Sequence, residues 1–265
     1  VPSLNVPESG LTIPKETPFV LEGEASPYDS NFLYSWEQND PSSTSFCMDL
    51  TSSADECLGL SSWPSSEGPL FSTVDLSSSG NKRFFPDLKS LLDNKYTTTF
   101  DDYGTVLTVE RLPFGDRDIN MRLQVRTNEI NGSSTNFKNV MFSVDGASGP
   151  FRVTSQADSQ SWEVESVETI TWDVANTNNY PVNCSNVDIL LSTDGGYNYD
   201  IILASNTEND GIHEVNVPLI ANAASCRLMV KASNNIFFDI NNSFFEVLNP
   251  KVPSISFEND SITIE

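Results

Sequence analysis

The sequence predicts an all-β chain made of two tandem β-sandwiches. Three observations carry that prediction. Helical periodicity is almost absent: only "FPDLKSLLDNKY", 85–96, brings Leu88, Leu91 and Leu92 onto one face. Elsewhere, short alternating apolar runs are broken by Asn, Asp, Gly, Ser and Pro, the punctuation of strands and turns. The pattern also occurs twice, on either side of "DGASG" at 145–149, which reads as a domain junction.

The first sandwich is expected over 1–146. "TPFVLEGEA" at 17–25 and "FLYSWEQ" at 32–38 read as strands, and Trp36 alternates with Tyr34 and Phe32 as a core tryptophan would. "GTVLTVERLP" at 104–113, "DINMRLQVRTN" at 118–128 and "FKNVMFSVDG" at 137–146 complete the set. Between them lies an insertion at about 39–103, Ser-rich and holding Cys47, Cys57 and Trp63. Structureless loops of that length are uncommon in compact domains. A Cys47–Cys57 disulfide and a short helix near 88–93 are therefore expected to order it.

The second sandwich is expected over 147–249. Its strands read "GPFRVTSQ", "ETITWDV", "VDILLST", "YDIILAS", "IHEVNVP", "SCRLMVKA" and "SFFEVLN". Seven short strands in this span suit an immunoglobulin-like or fibronectin type III-like sandwich. Ile170 and Trp172 share one face, as do Cys226, Leu228 and Val230. If the third and sixth strands are neighbours, Cys184 and Cys226 meet at one end. A bridge there would close a long loop, for ~3–4 kcal/mol in the entropic model. Residues 250–265 read as the start of a third domain. Val1 opens without the basic start and apolar stretch of a signal peptide, so the chain is expected to be a piece of a longer protein.

Composition sets the function classes. The 265 residues include 14 basic and 37 acidic ones, a net charge of -23. Such a surface repels nucleic acid and anionic lipid. No apolar run approaches the ~20 residues of a membrane span. Four cysteines without C-x-x-C, with little lysine and much Ser, Thr and Asn, suit a secreted protein with disulfides. The local pairing is 47–57 and 184–226; four reduced, buried thiols are the alternative.

One short pattern raises a catalytic question. Ser192, Asp194, Gly196 and Tyr199 match the S-x-D-x-G-x-x-aromatic box of sialidase-type propeller blades. A propeller needs several copies of its repeat, and this match is single. Val187, Ile189 and Leu191 alternate before it, and Ile201 and Leu203 after it. Asp194-Gly195 favours a tight turn, so the box is read as a hairpin turn.

Other chemistry is sparse. The single histidine, His213, opens "HEVNV", where valine stands in the place of the second histidine of a zinc-binding H-E-x-x-H helix. Asp101-Asp102 is a carboxylate pair of the residue type that glycosidases use. Calcium is the more natural small ion, with oxygen ligands offered by Asp101, Asp102, Asn209, Asp210 and Asp239. Trp63, Tyr197 and Tyr199 are aromatic candidates for gripping a sugar or peptide.

The longest distinctive run is "TWDVANT…PVNC…VDILLSTDGG…NDG", preceded by "TPFVLEGEA…YSWEQ", "RFFP" and "RLPF…R…MRLQVR". Over about residues 12–249 it resembles the region downstream of the catalytic domain in secreted bacterial reprolysin-like zinc metallopeptidases. The resemblance implies immunoglobulin or fibronectin-like modules without catalytic residues of their own. Zinc would belong only to a catalytic domain outside this chain, and no other cofactor is required. The expected function is a spacer, stabiliser or targeting arm, secreted or on the bacterial surface, monomeric, facing an extracellular protein or glycan. The alternative is an adhesion or carbohydrate-binding sandwich protein. A glycan hydrolase is the third reading.

Overall fold

The computed structural model describes residues 2–41, 68–102, 105–127 and 132–250. Over these the regular structure is almost entirely strand, arranged as two immunoglobulin or fibronectin type III-like sandwiches in series.

The first sandwich begins with β1 (Ser3–Asn5), β2 (Leu11–Pro14), β3 (Phe19–Glu22), β4 (Glu24–Ser26) and β5 (Leu33–Gln38). Then come β6 (Lys82–Phe85), α1 (Leu88–Leu92), β7 (Thr97–Asp102), β8 (Thr105–Arg111), β9 (Arg117–Arg126) and β10 (Thr135–Asp145). One sheet has the order β2-β10-β9-β5, with β2 parallel to β10. Facing it, β1 pairs with β4 and β3 with β6. Only Gly23 separates β3 from β4, and a Cβ there would stand 2.6 Å from Leu123 Cδ2 and 2.9 Å from Asn5 O. The backbone can pass that close only without a side chain.

The core follows the alternation. Arg117, Ile119, Met121, Leu123 and Val125 point inward from β9, and Val140, Phe142 and Val144 from β10. Trp36 is fully buried, with its Nε1 donating to Asn81 O at 2.9 Å. Phe19 stacks on Phe85 at 4.7 Å and meets Phe71 and Phe142 edge-on.

The stretch expected to be inserted at 39–103 is crossed by β6, which belongs to the sandwich. The strand expected at 104–113 forms a separate hairpin, β7 with β8. Glu110 on β8 ties that hairpin to its surroundings: its side chain accepts from Arg83 Nη2, Asp87 N and Thr98 Oγ1. Asp87 in turn caps α1, accepting from Lys89 N at 3.0 Å and Ser90 N at 3.1 Å. A capping acid satisfies donors that a short helix leaves open.

The second sandwich comprises β11 (Arg152–Val153), β12 (Ser161–Glu163), β13 (Val167–Asp173), β14 (Asn186–Ser192), β15 (Ile201–Glu208), β16 (Ile212–Asn216), β17 (Ala223–Ala232), β18 (Phe238–Ile240) and β19 (Phe245–Leu248). Its sheets are β11-β13-β16 and β12-β19-β17-β14-β15, with β18 beside β17. Again an early strand, β12, runs parallel to the last, β19. The two sandwiches therefore repeat one connection scheme. Trp172 is buried, and its Nε1 donates to Asn209 Oδ1 at 2.8 Å.

The expected Cys184–Cys226 bridge is corrected here. β14 and β17 are neighbours, as supposed, but antiparallel: Val187 faces Ala232 and Ser192 faces Arg227. Cys184 thus lies near one end of the pair and Cys226 at the other, a separation of roughly 25–30 Å at the strand rise. A disulfide requires Cα atoms within ~7 Å. Both are buried free thiols, and burial pushes each up to about 11. Cys47, Cys57 and residues 251–265, where the third domain was expected, lie outside the described residues.

The sandwiches meet along a seam. Val20 N donates to Ile236 O at 2.9 Å, and Phe238 N to Pro18 O at 3.0 Å. Across it Phe84 meets Phe238 edge-on, with ring centroids 5.5 Å apart; within the second sandwich Phe151 meets Phe237 edge-on at 5.3 Å. At the junction, Phe151 N donates to Thr17 Oγ1 at 3.0 Å and Arg152 Nη2 to Glu16 O at 2.6 Å.

Candidate functional site

The box that raised the catalytic question is the turn between β14 and β15, which pair as an antiparallel hairpin. Ser192 Oγ donates to Asp194 Oδ1 at 2.7 Å and accepts from Gly196 N at 2.8 Å. The Asp194 carboxylate accepts from Tyr197 N at 3.1 Å, Asn198 N at 3.0 Å and Asn198 Nδ2 at 2.6 Å. Desolvation works against its charge, but the bonds from Asn198, Ser192 and Tyr197 outweigh it and hold the carboxyl at about 2. The acid is committed to the turn.

Two positive-φ glycines shape what the turn presents. Gly196 sits at φ +97°, and a Cβ on it would stand 2.4 Å from Leu92 Cδ2. This side of the turn presses against α1. Gly195, at φ +87°, faces the other way, with Phe244 Cε1 and Tyr197 Cδ2 3.8 and 3.9 Å from the place a Cβ would occupy.

Tyr197 and Phe244 therefore flank one glycine, and both rings are open to solvent, 61% and 48% exposed. Phe244 lies over the Arg227 guanidinium at 4.4 Å. That guanidinium is buried and donates to Asn241 O and, at 2.8 Å, to Leu92 O. Tyr199, paired with Tyr197 as a sequence candidate, instead packs inward against the cluster of Val20, Leu91, Leu92, Met229, Phe238 and Ile240. Burial raises its phenol pKa.

The expected cation ligands come from separate elements: Asp101 and Asp102 lie on β7, and Asn209 and Asp210 in the turn between β15 and β16. Asn209 is spent on the core: besides accepting from Trp172 it donates to Thr177 Oγ1 at 3.0 Å and Cys184 O at 2.9 Å. Asp210 accepts from Ile212 N at 3.2 Å, an Asx turn. Among the described residues, no three His, Cys, Asp or Glu are grouped to hold a metal. His213 lies on strand β16, with its Nδ1 2.8 Å from Thr207 Oγ1. Trp63 lies outside the described residues.

Asp239 has a different role. It is only 2% exposed and sits at the seam on β18. Its carboxylate accepts from Val153 N at 2.8 Å and Tyr96 OH at 3.4 Å, with Arg152 Nη1 at 4.0 Å. Arg152 also stacks over the Tyr96 ring at 3.8 Å. Burial raises the carboxyl to about 7, against the opposing pull of Arg152 and the hydrogen bonds.

Sequence reasoning missed Phe244 and the burial of Asp239. The first had a signal: in "SFFEV" adjacent phenylalanines at the mouth of a strand must take opposite sides, so one was bound to face outward. The second had none, because it depends on a surface supplied by the other sandwich.

No family model matches the sequence, and no curated protein matches it. Solved structures are similar in fold only. Tandem Ig repeats of Dlar match at 10% identity and TM-score 0.37, covering 94% of this chain and 97% of that one. Fibronectin(III)-like modules of Clostridium thermocellum CbhA match at 7% and TM-score 0.26, covering 97% of this chain and 100% of that one. A Bacteroides ovatus mixed-linkage glucan locus protein, SGBP-B, solved with a heptasaccharide, matches at 10% and TM-score 0.26, covering 92% and 47%. Likeness at this level carries no function from those proteins to this one.

Proposed function

We propose that the chain is a non-catalytic arm of a secreted or cell-surface bacterial protein, and that its parent is a zinc metallopeptidase. The observation supporting an arm is the seam. Backbone hydrogen bonds and the edge-on contact of Phe84 with Phe238 join the sandwiches, so whatever is attached at either end is held at a fixed distance and angle. Small, polar interfaces allow domain motion, whereas here Val20, Leu91 and Leu92 pack with Met229, Phe238 and Ile240 across the boundary. Zinc would be held only by the parent's catalytic domain, and this reading asks no metal of the arm. The parent's identity rests on the sequence resemblance alone.

The coding region upstream of Val1 tests the parent. A translated H-E-x-x-H-x-x-G-x-x-H helix supports the protease; a lipid-anchor signal or only further sandwiches overturns it. The purified chain, supplied with zinc, is expected to leave casein intact. The adhesion or carbohydrate-binding reading is favoured by one observation, the exposed Tyr197 and Phe244 pair. No observation favours the hydrolase.

A further inference from the structure

We propose that Tyr197 and Phe244 form a platform for a neutral oligosaccharide at the boundary of the two sandwiches. The inference rests on reading the chain as a non-catalytic binding arm, and it does not depend on the parent being a protease.

Single exposed aromatics are ordinary on protein surfaces, but contiguous ones mark contact sites. These two share Gly195 as the floor between them. Asp194 holds the backbone of Tyr197, and the buried Arg227 guanidinium backs the Phe244 ring. A ring backed before binding loses little freedom on contact, which favours affinity.

The surroundings fit a sugar. Rings present flat apolar faces to the C–H faces of pyranoses, while the rim must meet hydroxyls. Asn198 and Asn242, one and two residues from the aromatics in sequence, are exposed; Asn198 Nδ2 already donates to Asp194 Oδ2 at 2.6 Å. Lys89 and Asp93 of the α1 segment pair at 3.0 Å, on the segment that Gly196 of the turn presses against through Leu92. Asn94 Nδ2 donates to Asn242 O at 2.8 Å and ties that segment to the rim. The site therefore draws on both sandwiches, a common location for ligand sites. Charge selects within the sugars: at -23 overall, the surface repels sulfated or carboxylated chains.

The test is calorimetric titration of the whole chain with cellohexaose, xylohexaose and laminarihexaose, and with a sulfated heparin hexasaccharide. At least one neutral hexasaccharide is expected to bind and heparin is not. Tyr197→Ala and Phe244→Ala should each weaken binding about tenfold or more, as loss of a central contact does. Phe244→Tyr should retain it, separating loss of the ring from loss of fold. Tyr180→Ala, at a ring 84% exposed elsewhere, should change nothing. Failure of all three neutral sugars, binding unaltered by both alanine variants, or preference for heparin overturns the proposal. None of these outcomes touches the parentage, which the upstream sequence decides.

Discussion

The phenol of Tyr96 donates to the carboxylate of Asp239 at 3.4 Å, and the two residues come from opposite sides of the seam. Tyr96 follows α1 in the first sandwich's insertion; Asp239 lies on β18 of the second. Arg152 completes the cluster, 4.0 Å from the carboxylate and stacked on the Tyr96 ring. Burial raises the Tyr96 phenol to about 12, with the Asp239 charge adding to the effect. Docking thus takes an acid out of water against one distant guanidinium, and the carboxyl is easier to bury protonated than charged.

That arrangement fixes the sign of a pH dependence. Asp239 rises from 3.8 to about 7 on folding, so between those values the folded chain binds the extra proton. Its contribution to stability is full below the lower value and is lost as pH rises through the higher one. The thermal midpoint should therefore be higher at about pH 5 than at about pH 8. Relief of overall negative charge near the acid end acts in the same direction. The comparison that isolates Asp239 is therefore wild type against Asp239→Asn at constant ionic strength. The stability difference between them should shift in favour of the wild type on acidification. A difference that stays flat with pH, or favours the wild type at alkaline pH, contradicts the argument.

The seam should also make unfolding a single event. Phe237 is fully buried, meets Phe151 edge-on and forms an isolated bridge with Phe19 across the boundary. Phe237→Ala removes a buried ring, which costs about 3–5 kcal/mol. Spread over a chain of this size, that lowers the thermal midpoint by roughly 10 °C. Calorimetry should show one transition moving as a whole. Two transitions, of which only one moves, would mean that the sandwiches are held independently.

The alternation of apolar residues makes the sheets legible in the amino-acid sequence itself. Ile170 with Trp172, and Val187 with Ile189, point inward as their spacing predicts, because a half-buried strand writes its face into every second residue. α1 is legible for the same reason, from three leucines at helical spacing. The strand expected at 104–113 does exist, but its partner is not readable, since the choice between a sandwich sheet and a separate hairpin is made by non-local pairing. The turn at 192–196 is legible because Asp and Gly act on their own neighbours. What lies beyond reach depends on two segments meeting: Phe244 beside Tyr197, Tyr199 turned inward onto Leu92, Asp239 enclosed by Tyr96 and Arg152. Alternation alone also says nothing of which end of an antiparallel pair a residue occupies.

That last ambiguity is why the expected cysteine pairing fails, and it yields a direct chemical test. Cys184 and Cys226 sit toward opposite ends of β14 and β17, each buried, each with its thiol pushed up to about 11. A thiol is nucleophilic as its thiolate, so at neutral pH both lack charge as well as access. Iodoacetamide should leave both unmodified in the native chain and label both once guanidinium unfolds it, without any reductant. Peptide mapping by mass spectrometry reads each residue separately, so Cys47 and Cys57 do not confuse the result. A non-reduced digest that yields the Cys184 and Cys226 peptides joined would require their strands to be repositioned by most of a strand length, and with them the whole β14–β17 register.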